Sequence, residues 1–118
     1  MIFKHIHHIS EKDLYAAYKL FFNTFSSKHR LKILNFLRKK ARNVSEITRK
    51  LKMSQTHVSH NLGKLKTCGF ITLEVRGKYR YYKLNENIEI MLKLIDEHMK
   101  KNCLMIIKRM KGEKDGLV

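Results

Sequence analysis

The segment from Ser54 to Lys64 is rich in side chains that can hydrogen-bond to the base edges and phosphates of nucleic acid. A glutamine amide can bond adenine through two atoms at once, serine and threonine hydroxyls donate and accept, and lysine neutralises phosphate. On a helix that begins after Ser54, these polar residues face away from Val58, Leu62 and Leu65. The candidate contacts of this helix are Ser54, Gln55, Thr56, His57, Ser59, His60 and Lys64.

A second set of candidate contacts follows in a hairpin. Ile71–Val75 and Tyr79–Leu84 are alternating, β-prone runs on either side of Gly77, which predicts two antiparallel strands joined by a turn. The tyrosines of the second run could stack on nucleic acid or pack within the sheet. The cations expected to contact phosphate or the minor groove are Arg76, Lys78 and Arg80.

The charge of the chain is concentrated around these two segments. The formal net charge is +16, and between Lys28 and Lys83 sixteen Lys and Arg residues stand against two acids. The two flanks together hold ten bases and eight acids and are nearly neutral. A basic middle between neutral flanks indicates a module that binds a polyanion, with nucleic acid as the leading partner and an anionic membrane surface as the alternative.

The chain has 118 residues, which is short enough for a single domain. Residues that favour helix starts and ends locate the elements that carry these two segments. Residues 45–68 are predicted to form a helix, a tight turn and a second helix that ends before Gly69, and residues 71–84 form the wing. The expected fold is mainly α with a small β-hairpin, a winged helix-turn-helix whose second helix enters the major groove. The candidate helix caps are Ser10, Ser27, Ser45 and Ser54.

The first and last helices, predicted over 11–25 and 87–110, carry apolar stripes that a chain of this length cannot cover alone. A polar tail over 111–118 is expected to be flexible. Pairing with the same helices of a second copy would bury the stripes and form a homodimer. The candidate interface residues are Leu14, Tyr18, Phe21, Ile88, Leu92, Ile95, Met99 and Ile106.

Residues 25–84 resemble the bacterial and archaeal regulators of the ArsR/SmtB type. The similar stretches are Ser27–Leu34, Val44–Ile47, Ser54–Leu62, Cys68–Ile71 and Arg76–Leu84. The resemblance implies a homodimer, joined through its first and last helices, that represses transcription at an imperfect palindrome in double-stranded DNA and often responds to an inducer. We therefore expect a sequence-specific repressor, with an architectural or non-specific DNA-binding protein as the alternative.

Many ArsR/SmtB-type regulators sense metals, so the resemblance directs attention to two sets of ligand positions. The Cys-x-Cys pair of one set corresponds to Asn43 and Ser45 here, neither of which is a thiolate. In the other set Asp96 and His98 match the first half, but the expected second histidine is Arg109. Zinc usually takes four ligands, so no metal and no other cofactor is expected at these positions.

Histidines near the N-terminus could bind a metal, and two cysteines could undergo redox chemistry, so both sets of residues have alternative interpretations. His5, His7 and His8 could bind a metal or form a basic arm. Cys68 and Cys103 form no CxxC pair and are interpreted as reduced thiols, with a redox switch between them as the alternative.

Several classes of protein are disfavoured by what the sequence lacks. It has no signal-peptide pattern and no apolar run long enough for a transmembrane helix, which favours a cytoplasmic protein without a membrane partner. It has no paired carboxylates, no nucleophile beside a base and no glycine-rich phosphate loop, so an enzyme is not expected. Binding of single-stranded nucleic acid through the tyrosines stays open.

Overall fold

Six helices and three short strands make up residues 9–112, the part of the chain that the computed structural model describes. In chain order the elements are α1 (Glu11–Phe25), α2 (Lys28–Leu37), β1 (Arg42–Asn43), α3 (Val44–Leu51), α4 (Gln55–Thr67), β2 (Ile71–Arg76), β3 (Tyr79–Leu84), α5 (Glu86–Lys101) and α6 (Cys103–Gly112). Contacts divide the chain into two units, one ending at Leu84 and the other beginning at Asn85. No helix in the described part is long and apolar enough to cross a bilayer.

Serine hydroxyls begin α1, α2 and α4, as the sequence predicts. The Oγ of Ser10 accepts a hydrogen bond from the backbone N–H of Asp13 at 3.1 Å. Ser27 and Ser54 accept in the same way from the N–H three residues later, at 3.3 and 3.1 Å. Each bond satisfies an N–H that has no partner within the helix, so these residues determine where the helices start.

The cap of α3 is Asn43, and the prediction of Ser45 as its cap was wrong. The Oδ1 of Asn43 accepts from the N–H of Glu46 at 2.8 Å, while the Glu46 carboxylate accepts from the N–H of Asn43 at 3.0 Å. This reciprocal capping box satisfies two N–H groups, whereas Ser45 already lies within the first turn. At its other end α3 stops at Lys52, whose left-handed φ of 54° makes the tight turn into α4.

The end of α4 leads directly into the wing. Gly69 has a φ of 77°, a conformation that glycine adopts without steric cost. Its N–H donates to the carbonyl of Lys66 at 3.0 Å, and the N–H of Phe70 donates to the carbonyl of Leu65 at 2.9 Å. These two bonds form a Schellman motif, which confirms that α4 ends before Gly69, and β2 starts immediately after Phe70.

The sheet is antiparallel and has the strand order β1-β3-β2. β2 and β3 form the predicted hairpin, with Arg76 opposite Tyr79 across a two-residue turn. Gly77 has a φ of 61° and Lys78 does not have a positive φ, which is the pattern of a type II′ turn. β1 pairs with the other edge of β3 and is absent from the prediction, because two residues are too few to show the alternation of a strand.

The core of the first unit fixes which side of α4 faces inward. Val58, Leu62 and Leu65 are at most 1% exposed, as predicted from their spacing. Burial of a side chain of this kind stabilises the fold by about 1.5–3 kcal/mol. The remaining core side chains of this unit are Ile33, Leu34, Leu37, Ile47, Phe70, Ile71 and Leu84. The opposite side of α4 is therefore the side left to solvent.

The second unit consists of α5 and α6, where the sequence predicts one helix over 87–110. The helix is interrupted at Asn102, whose φ of −125° and ψ of −75° are not helical. The side-chain amide of Asn102 donates to the carbonyl of His98 at 2.9 Å, and its backbone N–H donates to the same carbonyl at 3.1 Å. Competition of an asparagine side chain for a backbone acceptor is a known cause of such breaks.

The predicted dimer-interface residues differ in how much of each side chain is exposed to solvent. Ile88 and Leu92 are each 8% exposed, so they offer little surface, and their place in a dimer interface stays a prediction. Tyr18 and Ile106 are exposed, at 44% and 53%. The half-buried residues of the predicted set are Leu14, Phe21, Ile95 and Met99.

Two predicted features fall outside the described residues, wholly or in part. The histidine cluster of His5, His7 and His8 lies outside them. Of the tail predicted over 111–118, the first two residues belong to α6, which continues to Gly112, and residues 113–118 are not among those described.

Candidate nucleic-acid interface

α4 presents polar side chains on the surface opposite the core. The exposed members of the predicted set are Ser54, Gln55, Thr56, Ser59, His60 and Lys64. The hydroxyl of Ser54 also caps the helix, so this residue has a structural role as well. Backbone N–H groups at the start of a helix carry partial positive charge, which favours the approach of phosphate to this end of α4. The geometry suits a helix that enters a DNA groove with its first turns leading.

His57 is less accessible than the sequence predicts. Its ring is half-buried and meets the exposed His29 of α2 edge to face, with the ring centroids 4.6 Å apart and the planes at 70°. The backbone carbonyl of His57 accepts from the Asn61 side chain at 3.0 Å. The pair brings the first turn of α2 beside the reading helix, so His29 joins the candidate surface.

Arg30 holds α4 in place and was missed by the sequence analysis. Its Nε donates to the carbonyl of Thr24 at 2.6 Å and its Nη2 to the carbonyl of Asn23 at 3.2 Å, both at the end of α1. Its Nη1 donates to the Oδ1 of Asn61 at 3.1 Å. Asn61 is 3% exposed, so a buried amide of α4 depends on this guanidinium for one of its bonds. One side chain thus joins α1, α2 and α4.

The three cations of the wing do not share one face. Arg76 lies opposite Tyr79 and Arg80 lies opposite Val75, and adjacent strand residues point to opposite faces, so the two arginines project on opposite sides of the hairpin. The Nε of Arg76 donates to the Glu74 carboxylate at 2.6 Å, and its guanidinium lies 4.5 Å from the centre of the Tyr81 ring. The carboxylate offsets the charge of Arg76, although both arginines are exposed.

Comparison with known proteins agrees with this arrangement. A sequence model described as "Bacterial regulatory protein, arsR family" matches residues 27–72, from the cap of α2 into β2. The HTH-type transcriptional regulator YbzH of Bacillus subtilis is 38% identical over 90 residues, which cover 64% of this chain and 88% of YbzH. This chain belongs to the ArsR family. It is a DNA-binding transcriptional regulator, as the sequence analysis expects.

Solved structures of ArsR-like winged helices confirm the fold class. The homodimeric winged helix-turn-helix DNA-binding domain of Mb0332 from Mycobacterium bovis superposes with a TM-score of 0.68 at 25% identity, covering 80% of this chain and 94% of that domain. The transcriptional repressor PagR of Bacillus anthracis gives a TM-score of 0.60 at 33% identity, covering 73% of this chain and 99% of PagR.

The ArsR-type sensor positions have other occupants in this chain. Asn43, at the position of one thiolate of the family pair, caps α3, and Ser45 is exposed in the first turn. Within residues 9–112, Asp96 and His98 included, no three or more His, Cys, Asp or Glu side chains are grouped closely enough to hold a metal ion. Both cysteines are free thiols.

Proposed function

We propose that this ArsR-family chain is a homodimeric repressor that reads an operator of two related half-sites. The observation that carries the proposal is the exposed polar face of α4, which lies beside a basic wing and is backed by a buried apolar core. In this proposal Gln55, Thr56, Ser59 and His60 contact base edges, while Lys64 and the wing cations contact phosphate. PagR is named a repressor and Mb0332 is homodimeric, which supports both parts.

Apolar surface on the outer helices supports the homodimer. On α1, Tyr15, Tyr18 and Phe22 are 60%, 44% and 58% exposed. A second group of exposed apolar residues on α5 and α6 comprises Ile90, Leu94, Leu104, Met105, Ile106, Ile107 and Met110. Clusters of exposed apolar side chains mark interaction sites in proteins that are otherwise charged. We therefore propose α1, α5 and α6 as the dimerisation elements.

The deciding test is selection of bound duplexes from a random DNA pool. We expect a pseudo-palindromic sequence with half-site centres about 10 base pairs apart, or a multiple of that, because two reading helices must meet successive turns of the groove. Affinity for the selected sequence should exceed that for random DNA by about 10³ or more. A ratio below about tenfold would instead support an architectural DNA-binding protein.

Two further parts of the proposal follow from this role. The family and its relatives are transcriptional regulators, which supports a protein that acts by binding and not by catalysis.

A regulator must reach the chromosome, which in bacteria and archaea lies in the cytoplasm, so we propose that location.

The wing gives a prediction in which two arginines behave differently. Arg80→Ala should weaken binding to all DNA sequences and reduce the slope of log affinity against log salt by about 0.9, because one phosphate contact is lost. Arg76→Ala should have a smaller effect, since Glu74 already offsets its charge. Glu74→Gln should tighten binding. Fluorescence anisotropy with labelled operator at several salt concentrations would measure all three.

Lys19, an exposed base on α1 outside the basic segment, provides the control for the wing variants. Lys19→Ala should leave the salt slope unchanged. If the slope of log affinity against log salt were the same for Arg80→Ala and the wild type, Arg80 would not contact phosphate.

A further inference from the structure

A groove of about 640 Å³ lies between the end of α1 and the outward side of α4. Leu20, Asn23 and Thr24 form its α1 wall, and Ser59 and Lys64 are among the α4 residues opposite. The volume is within the range of about 300–1,000 Å³ typical of small-molecule sites. The groove lies wholly within the first unit, so its shape is set by the helix-turn-helix core.

Gly63 lines this groove. A Cβ placed on Gly63 would meet no atom within 4 Å, so no neighbouring backbone explains the glycine. Glycine within a helix costs about 1 kcal/mol relative to alanine. Gly63 therefore lowers helix stability on the side where DNA contacts are proposed, and the space in front of it is open to a ligand.

The groove lining combines apolar surface with positive charge. Leu20, Gly63 and the Cys68 thiol supply apolar or weakly polar surface, and Arg30 and Lys64 supply cations. No Asp or Glu is among the described residues that line it. An apolar body with an anionic group complements such a surface, whereas a DNA strand would not require the apolar part.

Arg30 is a fixed cation on this wall. Its bonds to the carbonyls of Thr24 and Asn23 and to Asn61 use three of the five N–H groups that a guanidinium carries. One N–H on each terminal nitrogen is not used by these bonds. Because the side chain is already held in place, binding an anion here requires little further ordering.

We propose that this groove binds a small organic anion with an apolar body, such as an aryl or alkyl carboxylate or sulfonate, and that its occupation competes with DNA. Competition follows because Ser59, His60 and Lys64 both line the groove and belong to the proposed DNA surface. This second part rests on the function proposed above, whereas binding of the anion does not.

The test uses the full chain without DNA and the aryl sulfonate 8-anilinonaphthalene-1-sulfonate as the probe. Backbone amide signals are followed by NMR during the titration, because the exposed apolar residues of α1 and α6 could also bind this dye. We expect saturable shifts at Thr24, Gly63 and Cys68 with one probe per chain. Shifts confined to α5, α6 or the exposed side of α1 would overturn the proposal.

Two substitutions at one position separate the groove from helix stability. Gly63→Leu should place a bulky side chain in the groove and weaken probe binding by at least about tenfold, which is about 1.4 kcal/mol. Gly63→Ala gains at least as much helix propensity but leaves the groove open, so its affinity should stay within about threefold of the wild type. Equal affinities of the two variants would contradict the proposal. Lys64→Gln provides a second variant, which should weaken probe binding by removing a cation.

The competition is measured separately with the selected operator. A saturating concentration of probe should weaken operator binding by the wild type and by Gly63→Ala by at least about tenfold. Unchanged operator affinity with the groove occupied would overturn the competition. If DNA, but not the probe, shifts the groove amides, the groove receives the DNA backbone and the proposal is wrong. Failure of the unliganded chain to prefer an operator would contradict the proposed function, while the titration without DNA would still stand.

Discussion

Replacing Arg30 with methionine should lower the free energy of unfolding by about 2–4 kcal/mol, because the change removes three hydrogen bonds from a charged donor and leaves the buried Asn61 amide without one of its partners. Methionine retains most of the apolar volume of the side chain, so packing changes little. Urea denaturation at a fixed protein concentration measures the effect, since the stability of a dimer depends on concentration.

Arg49 supplies the matched control for this substitution. It is an exposed residue of α3, and Arg49→Met removes the same charge without the bonds to α1 and α4. Its stability should remain within about 0.5 kcal/mol of the wild type. Equal losses for the two variants would show that net charge, and not the link through Arg30, determines stability.

The second large effect concerns base reading by Gln55. We expect Gln55→Ala to weaken binding to the selected operator by about 1–3 kcal/mol and to relax preference at a single base position in each half-site. Gln55 is exposed in the first turn of α4, where a reading helix meets base edges, and alanine there preserves the helix. Repeating the selection with the variant would identify the position.

Lys64→Ala provides the contrast for Gln55. Because Lys64 lies more than two turns further along α4 and is assigned to phosphate, its loss should weaken all sequences alike and leave the selected motif unchanged. If Gln55→Ala also weakened all sequences equally, Gln55 would not read a base.

Local signals were sufficient to predict most helix ends. Ser10, Ser27 and Ser54 cap the helices that the sequence assigns to them, and Gly69 ends α4, because each of these interactions lies within a few residues of chain. The cap of α3 also has a local signal, since Asn43-x-x-Glu46 matches the spacing of a capping box, but the serine within that stretch is itself a common cap and competes with it as a prediction.

Contacts between residues far apart in the chain could not be predicted from sequence patterns. Arg30 and Asn61 are 31 residues apart, and nothing in their local patterns indicates a bond. The pairing of β1 with Tyr81 and Tyr82 likewise depends on where β3 lies in space. At the break, the Asn102 side chain competes for a backbone acceptor, which an apolar stripe continuing through the residue does not reveal.

For the candidate site, the sequence predicted which residues of α4 face outward but not how their neighbours restrain them. Helical spacing separates Gln55 and Ser59 from the buried Val58, and this separation is confirmed. The packing of His57 on His29 and the ion pair of Arg76 with Glu74 alter the surface that DNA would meet. The second of these pairs is local enough to have been expected from a strand register.

The end of α4 before Gly69 affects how the DNA-reading elements could be transferred to another protein. Since no spacer separates α4 from β2, and Phe70 between them is 1% exposed with its ring 5.1 and 5.7 Å from those of Phe21 and Phe25, the reader and its wing share one anchor. Grafting α4 alone into a related scaffold would leave that anchor mismatched. A transfer would therefore have to carry α4, Phe70 and the wing together, into a host that keeps the two phenylalanines and Arg30.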